Sequence, residues 1–434
     1  MALTDLTIIH RSMTARLFST VTTVITVAVA VGLMLTLLSM RDSGERAFER
    51  GSGNMHLLVS RDSSPMVSVL NGVFYANAPA RPIAWAEYQR LTEQLPLEYA
   101  VPIQLGDSYR GLPVLATTPE FFTQFKPDPD VAWKLRDGRF FERELEVVAG
   151  AAAAAQTGVR IGDEIFVTHG VPRAAAFAQS GGGAVEPHIH KEFPFKIVGI
   201  LEPTGSAHDR AMFMNLDSSW IMHAHDRRLV DDPKASITTL ADLEERDRQI
   251  TGIYLRVLTR PGQEASAVLP QVFRMLRADP TITAASPTDQ IRQLFSIVSN
   301  IDQIFVAMAA VVMVSSGIAI MLALYNSMEQ RRRQVAVLRV LGCSRPRIFG
   351  LVVTESAMLG MMGAAAGVAL CLIGGRLVAA VMKERLGLVV EPIMPLDATL
   401  AVVVATITLA SLAGIVPAVM AYRTSVVKNL KPIG

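Results

Sequence analysis

Uncharged apolar runs of about 18 residues or more, long enough to cross a hydrocarbon core as helices, recur along the chain. They fall at Leu17 to Met40, Gln303 to Met328, Ser356 to Gly375 and Ala398 to Tyr422. The first follows Arg11 and Arg16 and contains Ala28-Val29-Ala30, a pattern that a signal peptidase would accept. It nevertheless continues through Leu33, Leu35, Leu37 and Leu38, whereas a cleaved signal needs an apolar core of only about 7 to 15 residues. An uncleaved anchor is therefore expected.

The long stretch between the first two runs has a different texture. Short β-like runs stand at Met55 to Val59, Leu145 to Val148, Glu164 to Val167, Phe193 to Leu201 and Ile253 to Leu258. Apolar positions three and four apart predict helices over Ile83 to Leu95 and Ala265 to Leu276. Arg41 to Arg50 continues the first run as a polar helix, and Ser286-Pro287-Thr288-Asp289 starts the helix that enters the second. The expected fold is an α-helical membrane protein with four transmembrane helices and a large mixed α/β domain between helices 1 and 2. Side-by-side helices at 41–50 and before the second run would form a stalk for that domain.

Composition supports a membrane location: 434 residues, half of them hydrophobic and 18% charged, are too apolar for an ordinary soluble enzyme. The net charge of +2 matters less than its distribution. Arg11 and Arg16 precede the first run, Arg331, Arg332, Arg333, Arg339, Arg345 and Arg347 fill the second connection, and Arg423, Lys428 and Lys431 follow the fourth. Four crossings put all three sets on one side, so both termini and residues 329–355 are expected in the cytoplasm. Asp302 and Glu355 sit near span ends, where they would reach headgroups or water. Cys343 and Cys371 both lie in the C-terminal third, so the external domain must fold by packing alone.

Familiar chemistry is missing from the sequence. It contains no G-x-x-x-x-G-K-[ST], G-x-S-x-G or H-E-x-x-H motif, and no G-x-G-x-x-G after a strand. Gly181-Gly182-Gly183 reads as a flexible loop, because no Lys-Ser/Thr and helix follow it. Nucleotide hydrolysis by this chain is accordingly not expected. Histidine is the odd feature, with His169, His188, His190, His208, His223 and His225 in one region. His188 and His190 would point the same way on a strand and offer two imidazoles to a transition metal, with Glu186 or Glu192 as an oxygen ligand. His223 and His225 form a second such pair. Zinc is the metal expected first; the alternative is a set of solvated surface histidines.

The richest segment is Met328-Glu329-Gln330-Arg331-Arg332-Arg333-Gln334-Val335-Ala336-Val337-Leu338-Arg339-Val340-Leu341-Gly342-Cys343-Ser344-Arg345-Pro346-Arg347-Ile348. Val335, Leu338 and Leu341 are expected to form a period-three apolar ridge, Gly342 to break the helix, and Ser344 to cap the next one with Pro346 in its first turn. The segment resembles the signature that leaves the second span of FtsX-type permeases. Thr354-Glu355-Ser356 and Gly360-Met361-Met362-Gly363-Ala364-Ala365-Ala366-Gly367 continue that likeness. Leu135 to Phe141, Glu146 to Gly150, Gly158 with Ile161-Gly162-Asp163, and Phe195 to Ile200 resemble, more loosely, the MacB-type periplasmic core domain. The chain departs from that family between His169 and Lys191, where a Gly- and His-containing insertion replaces a short hairpin.

The resemblance to MacB/FtsX-type (type VII) ABC transporter permeases implies an order of parts. These are a cytoplasmic amphipathic helix at 1–16 with Leu3, Leu6, Ile9 and Met13 on one face, a first span at 17–40, and a MacB-like periplasmic core with stalk helices at 41–297. A second span at 298–328, a cytoplasmic coupling elbow at 329–355, a third span at 356–375, a periplasmic loop at 376–397, a fourth span at 398–422 and a cytoplasmic tail at 423–434 follow. It implies a bacterial inner-membrane subunit that catalyses nothing itself and works with a cytoplasmic ABC ATPase dimer, which holds the ATP and Mg²⁺. It also implies a second permease copy, membrane lipid, and a periplasmic adaptor or substrate-binding protein; nucleic acid has no part. Coupling would run through Glu329, Arg331, Arg332, Arg333, Val335, Leu338, Arg339, Leu341, Gly342 and Ser344, and helix packing through Gly363, Gly367, Ala410 and Gly414. Such mechanotransmission serves export of a periplasmic molecule, lipoprotein release, FtsX-like activation of a periplasmic partner, or a zinc-linked process.

Overall fold

The computed structural model describes residues 5–79, 81–128, 131–170, 189–260, 266–386 and 394–423. The chain divides into two compact units, one from Met1–Ser43, Val298–Ala379 and Glu391–Gly434, the other from Gly44–Ile297 with Ala380–Val390.

The helices of the first unit are α1 (Asp5–Thr14), α2 (Leu17–Gly51), α3 (Pro287–Val340), α4 (Arg345–Leu386), α5 (Leu396–Ala413) and α6 (Ile415–Arg423), of which residues 44–51 of α2, 287–297 of α3 and 380–386 of α4 belong to the second unit. Four stretches are long and apolar enough to cross a bilayer: Leu17–Ser39, Gln303–Met328, Arg345–Val381 and Leu396–Arg423. The shortest has 23 residues, about 35 Å of helix at the usual rise. The fourth is two helices, α5 and α6, because Pro417 has no N–H to donate and its ring crowds the carbonyl one turn earlier.

In lipid, apolar surface alone gives helices little reason to associate, and small residues let backbones approach closely. On α4 a Cβ at Gly363 would lie 2.5 Å from Val27, and one at Gly367 would lie 2.7 Å from Val31, both on α2. On the α5 side, a Cβ at Gly360 would come within 2.5 Å of Ala410, and one at Gly414 within 2.0 Å of the Ser356 hydroxyl. Gly363, Gly367, Ala410 and Gly414 thus pack helices of one bundle together. Ile9 and Met13 of α1 are buried in the same cluster as Val27, Val31, Ile320 and Leu359, so these two residues of its apolar face are covered by the bundle itself, while the Leu6 side chain lies outside the described residues. Leu3 lies outside the described residues.

The second unit is organised on a sheet of strands β1 (Leu57–Ser60), β2 (Leu97–Tyr109), β3 (Leu112–Thr117), β4 (Leu135–Gly138), β5 (Glu146–Ala149), β6 (Glu164–Ile165), β7 (Thr168–His169), β8 (Phe195–Leu201), β9 (Met212–Asn215), β10 (Gly252–Val257) and β11 (Thr283–Ala285). Among the described residues the order is β11-β1-β10-β2-β3-β9-β5-β8-β4, with β6 on β8 and β7 on β2. The β9–β3 and β5–β8 pairs are parallel and the others antiparallel.

Both faces of the sheet are buried, which explains why its strands read as continuous apolar runs. Leu57, Val59, Met212, Met214, Ile253 and Leu255 face one cluster, toward the helices Leu216–Asp231 and Leu269–Ala278. Leu58, Phe213 and Tyr254 face the other, an aromatic cluster with Phe121, Phe122, Phe125, Trp133 and Phe141.

His208 is fully buried in that aromatic cluster, against Tyr75, Phe121, Phe125 and Trp133. Burial pushes its imidazole down to about 4. Because the folded-state pKa is depressed, the unfolded chain binds the extra proton between about pH 6.5 and 4. The stability is complete above that window and is lost on acidification, by up to about 3 kcal/mol. The chain's three tryptophans, Trp85, Trp133 and Trp220, all lie in this unit, so urea unfolding of the detergent-solubilised chain followed by tryptophan fluorescence reads it selectively. Wild type should weaken as pH falls through this window, and His208→Gln should show a flatter acid limb; equal slopes would contradict the assignment.

Candidate functional site

Among the described residues, one cluster of polar side chains in each unit has the makings of a functional site. The first is the arginine-rich end of α3. Here Val335 and Ala336 are buried, with Val335 packed against Met328, Ile348, Val352 and Ala418. Gly342, at φ +95°, then ends the helix. Its N–H donates to the Arg339 carbonyl at 3.2 Å, and the Cys343 N–H donates to the Leu338 carbonyl at 3.0 Å, the paired bonds of a Schellman cap. The chain turns and re-enters a helix at Arg345.

The expected ridge of Val335, Leu338 and Leu341 divides. Each three-residue step turns about 60° away from the starting face of an α-helix. Val335 is buried and Leu338 lines a cavity of about 50 Å³ with Ile8 and Ile9, while Leu341 is 78% exposed. The outward apolar face is Val337, Val340 and Leu341, at spacings that place them together. Exposed Arg332, Arg333, Arg345 and Arg347 lie on the same segment, as does exposed Ser344; Arg339 is half-buried. The Glu329 side chain lies outside the described residues.

Behind this face sits Glu355 on α4. Its Oε1 accepts the Ser12 hydroxyl at 2.6 Å and its Oε2 accepts Arg331 Nη1 at 3.1 Å. The carboxylate side chain is only 8% exposed. Instead of reaching headgroups or water, Glu355 is enclosed, because α1 lies over it and brings Ser12. Arg16 Nη2 donates to the Ser327 carbonyl at 3.2 Å, and Arg347 Nε donates to Asp5 Oδ1 at 3.0 Å. Helices α1, α3 and α4 are thereby joined through polar contacts at one level.

The second place is in the sheet unit. The β2–β3 register shifts between Leu105 and Asp107, at Gly106 with φ +149°; such a bulge re-aims the next side chain. Asp107 is buried, opposite His169 of β7. Its Oδ1 lies 3.2 Å from His169 Nδ1 and 3.3 Å from His223 Nε2 on the helix Leu216–Asp231. His190, anchored by its N–H to the Val167 carbonyl, stands edge-on to both rings, and its Nδ1 lies 3.4 Å from Asp226 Oδ1.

Burial alone would raise the Asp107 carboxyl, but the charges and hydrogen bonds of the two imidazoles outweigh it and hold it well below the usual carboxylate range. The Asp107 hydrogen bond raises His169 against the effect of burial. For His223, burial lowers the imidazole and the charges of Asp107 and Asp226 more than restore it. The structure therefore brings His190 and His223 together with His169, Asp107 and Asp226. His225 points elsewhere: its Nδ1 meets the Thr238 hydroxyl at 3.0 Å and its ring packs on Phe193. Residues two apart share a face on a strand but lie about 200° apart on a helix, and His223 and His225 are helical. His188, Glu186 and the triple glycine lie outside the described residues. No motif marks Asp107 in the sequence, and the signal for it is a glycine interrupting an apolar strand at Gln104-Leu105-Gly106.

Comparison with known proteins matches residues 306–426 to the FtsX-like permease C-terminal family and residues 20–272 to the MacB-like periplasmic core domain. The macrolide export ATP-binding/permease protein MacB of Nitrobacter winogradskyi is 24% identical over 322 residues, 74% of this chain and 42% of that protein. The chain thus spans about two fifths of the length of this relative. The extracellular domain of the noncanonic ABC-type transporter YknZ from Gram-positive bacteria aligns over 48% of this chain and 96% of its own, at 9% identity and a TM-score of 0.24.

Removing one partner of an enclosed ion pair leaves the other charge uncompensated, at a cost of about 3 kcal/mol or more, while removing both costs far less. Glu355→Gln should therefore destabilise the detergent-solubilised chain in thermal unfolding followed by circular dichroism. Adding Arg331→Met should recover most of the loss, and additive losses would show that the pair is not coupled.

Proposed function

The chain belongs to the family of permeases that join a MacB-like periplasmic core domain to an FtsX-like C-terminal domain, and from that premise we propose that it transmits the work of an ABC ATPase to its external domain. The ATPase, on a separate chain in the cytoplasm, binds the end of α3. Two permeases and two ATPases form the working unit, in a bacterial inner membrane with both termini of the permease inside. The external domains then move on a periplasmic or membrane-extracted substrate, for export or release.

The observation that carries this reading is the outward face Val337, Val340 and Leu341, on a segment with exposed arginines and backed by the Arg331–Glu355–Ser12 contacts. An apolar patch with a charged rim on a short capped helix end has the anatomy of a docking knob. A rigid mount makes such a knob useful for transmitting force, because a displaced α3 end must carry α4 and α1 with it. Helix α3 runs unbroken from Pro287 to Val340, so it is helical through the residue where one compact unit gives way to the other. The four apolar runs 17–40, 303–328, 356–375 and 398–422 carry no charged residue, which favours mechanical transmission over a conventional ion-conducting pore.

Val340→Glu with Leu341→Glu tests the knob without touching its buried mount. The wild-type chain, purified gently from its native membrane, should retain an ATPase whose ATP turnover it modulates. The double variant should lose about tenfold or more of that association, the loss expected when central interface side chains are replaced by charges. Full retention by the variant, or the absence of any associated ATPase with wild type, would sink the reading.

A further inference from the structure

We propose that the external domain binds a divalent transition metal, zinc by preference, through Asp107, His169 and His223. Three separate pieces of chain deliver these donors: the bulged C-terminal part of β2, the edge strand β7 and the helix Leu216–Asp231. Their ligand atoms all lie within 4.8 Å of one another. Both imidazole nitrogens converge on the same oxygen, Asp107 Oδ1, at 3.2 and 3.3 Å. A tetrahedral zinc with bonds of 2.0–2.1 Å separates neighbouring ligand atoms by about 3.3 Å. Two of the three edges between the protein ligands therefore already have the required length. The third closes by a movement of His169, whose side chain is 59% exposed while Asp107 is 2% exposed.

The surroundings favour an exchangeable site over a closed structural one. His169 and His223 line a cleft of about 420 Å³ with Gln104, Arg227 and Thr251, leaving the fourth coordination position open to solvent or to an incoming ligand. Asp226 adds a second carboxylate beside the cluster and pairs with His190, and Arg227 of the cleft is itself paired with Asp247. Two imidazoles and one carboxylate suit zinc, and the donor set contains no thiolate. Bound metal would tie the edge strand β7 to the middle of the sheet and to the helix, which makes the stability of this unit sensitive to metal concentration.

This inference is independent of the ATPase reading, and its test does not involve one. The full chain, carried on an affinity tag free of histidine and stripped with a chelator, is titrated with Zn²⁺ by calorimetry. Its thermal unfolding is followed through the tryptophans. Wild type should bind one Zn²⁺ per chain at this site, and its fluorescence melting point should rise by about 5 °C or more at a hundredfold excess over Kd. His169→Ala, an exposed change that leaves the core intact, and the near-isosteric Asp107→Asn should each weaken binding at least about 100-fold. His225→Gln, which alters a histidine outside the cluster, should bind as wild type does. Absence of saturable binding in the wild-type chain, or His169→Ala binding with unchanged affinity, would overturn the assignment.

Discussion

A carboxylate inside an apolar helix bundle is tolerated only if its oxygens are met by donors and its charge by an opposite charge. Glu355 satisfies both conditions with partners from two other helices, Ser12 and Arg331. That requirement ties α1 and the end of α3 to α4. The glycine seams on both sides of α4 then allow α2 and α5 to approach it closely. What remains outside is decided by helical geometry: with Val335 and Ala336 buried, Val337, Val340 and Leu341 face outward.

The external unit follows a different logic. It has no disulfide, since both cysteines lie in the other unit, and gains its stability from a sheet buried on both faces. Such a sheet leaves little room for polar side chains, so an interior carboxylate such as Asp107 demands a cationic or hydrogen-bonding partner. The bulge at Gly106 turns that side chain toward two imidazoles, one on the edge strand β7 and one on the helix Leu216–Asp231, next to an open cleft. His208 shows the opposite solution, a histidine kept neutral among aromatic rings.

The spans were legible because each hydrophobic signal extends over 18 residues or more, and the class of the external domain was legible from its alternating and continuous apolar runs. Strand β2, central to the sheet, escaped detection because Pro102 and Gly106 interrupt its apolar pattern. The helix Leu216–Asp231 was read only for its histidines, since a polar C-terminal half masks its buried first half. The residues of the two sites were legible in proportion to how locally they are determined. The Gly342 turn depends on its immediate neighbours and could be read directly. The Ser12–Glu355 contact joins residues 343 positions apart, and the Asp107–His223 contact joins residues 116 apart; no local pattern encodes either.

The central claim is that motion imposed at the α3 end reaches the external unit. Hydrogen–deuterium exchange of the assembled permease and ATPase, with and without ATP, measures this most directly. Transmission predicts nucleotide-dependent changes in exchange within residues 51–297 as well as around 329–348, with both sets lost in the Glu355→Gln variant. Changes confined to 329–348, with the external residues indifferent to nucleotide, would contradict it.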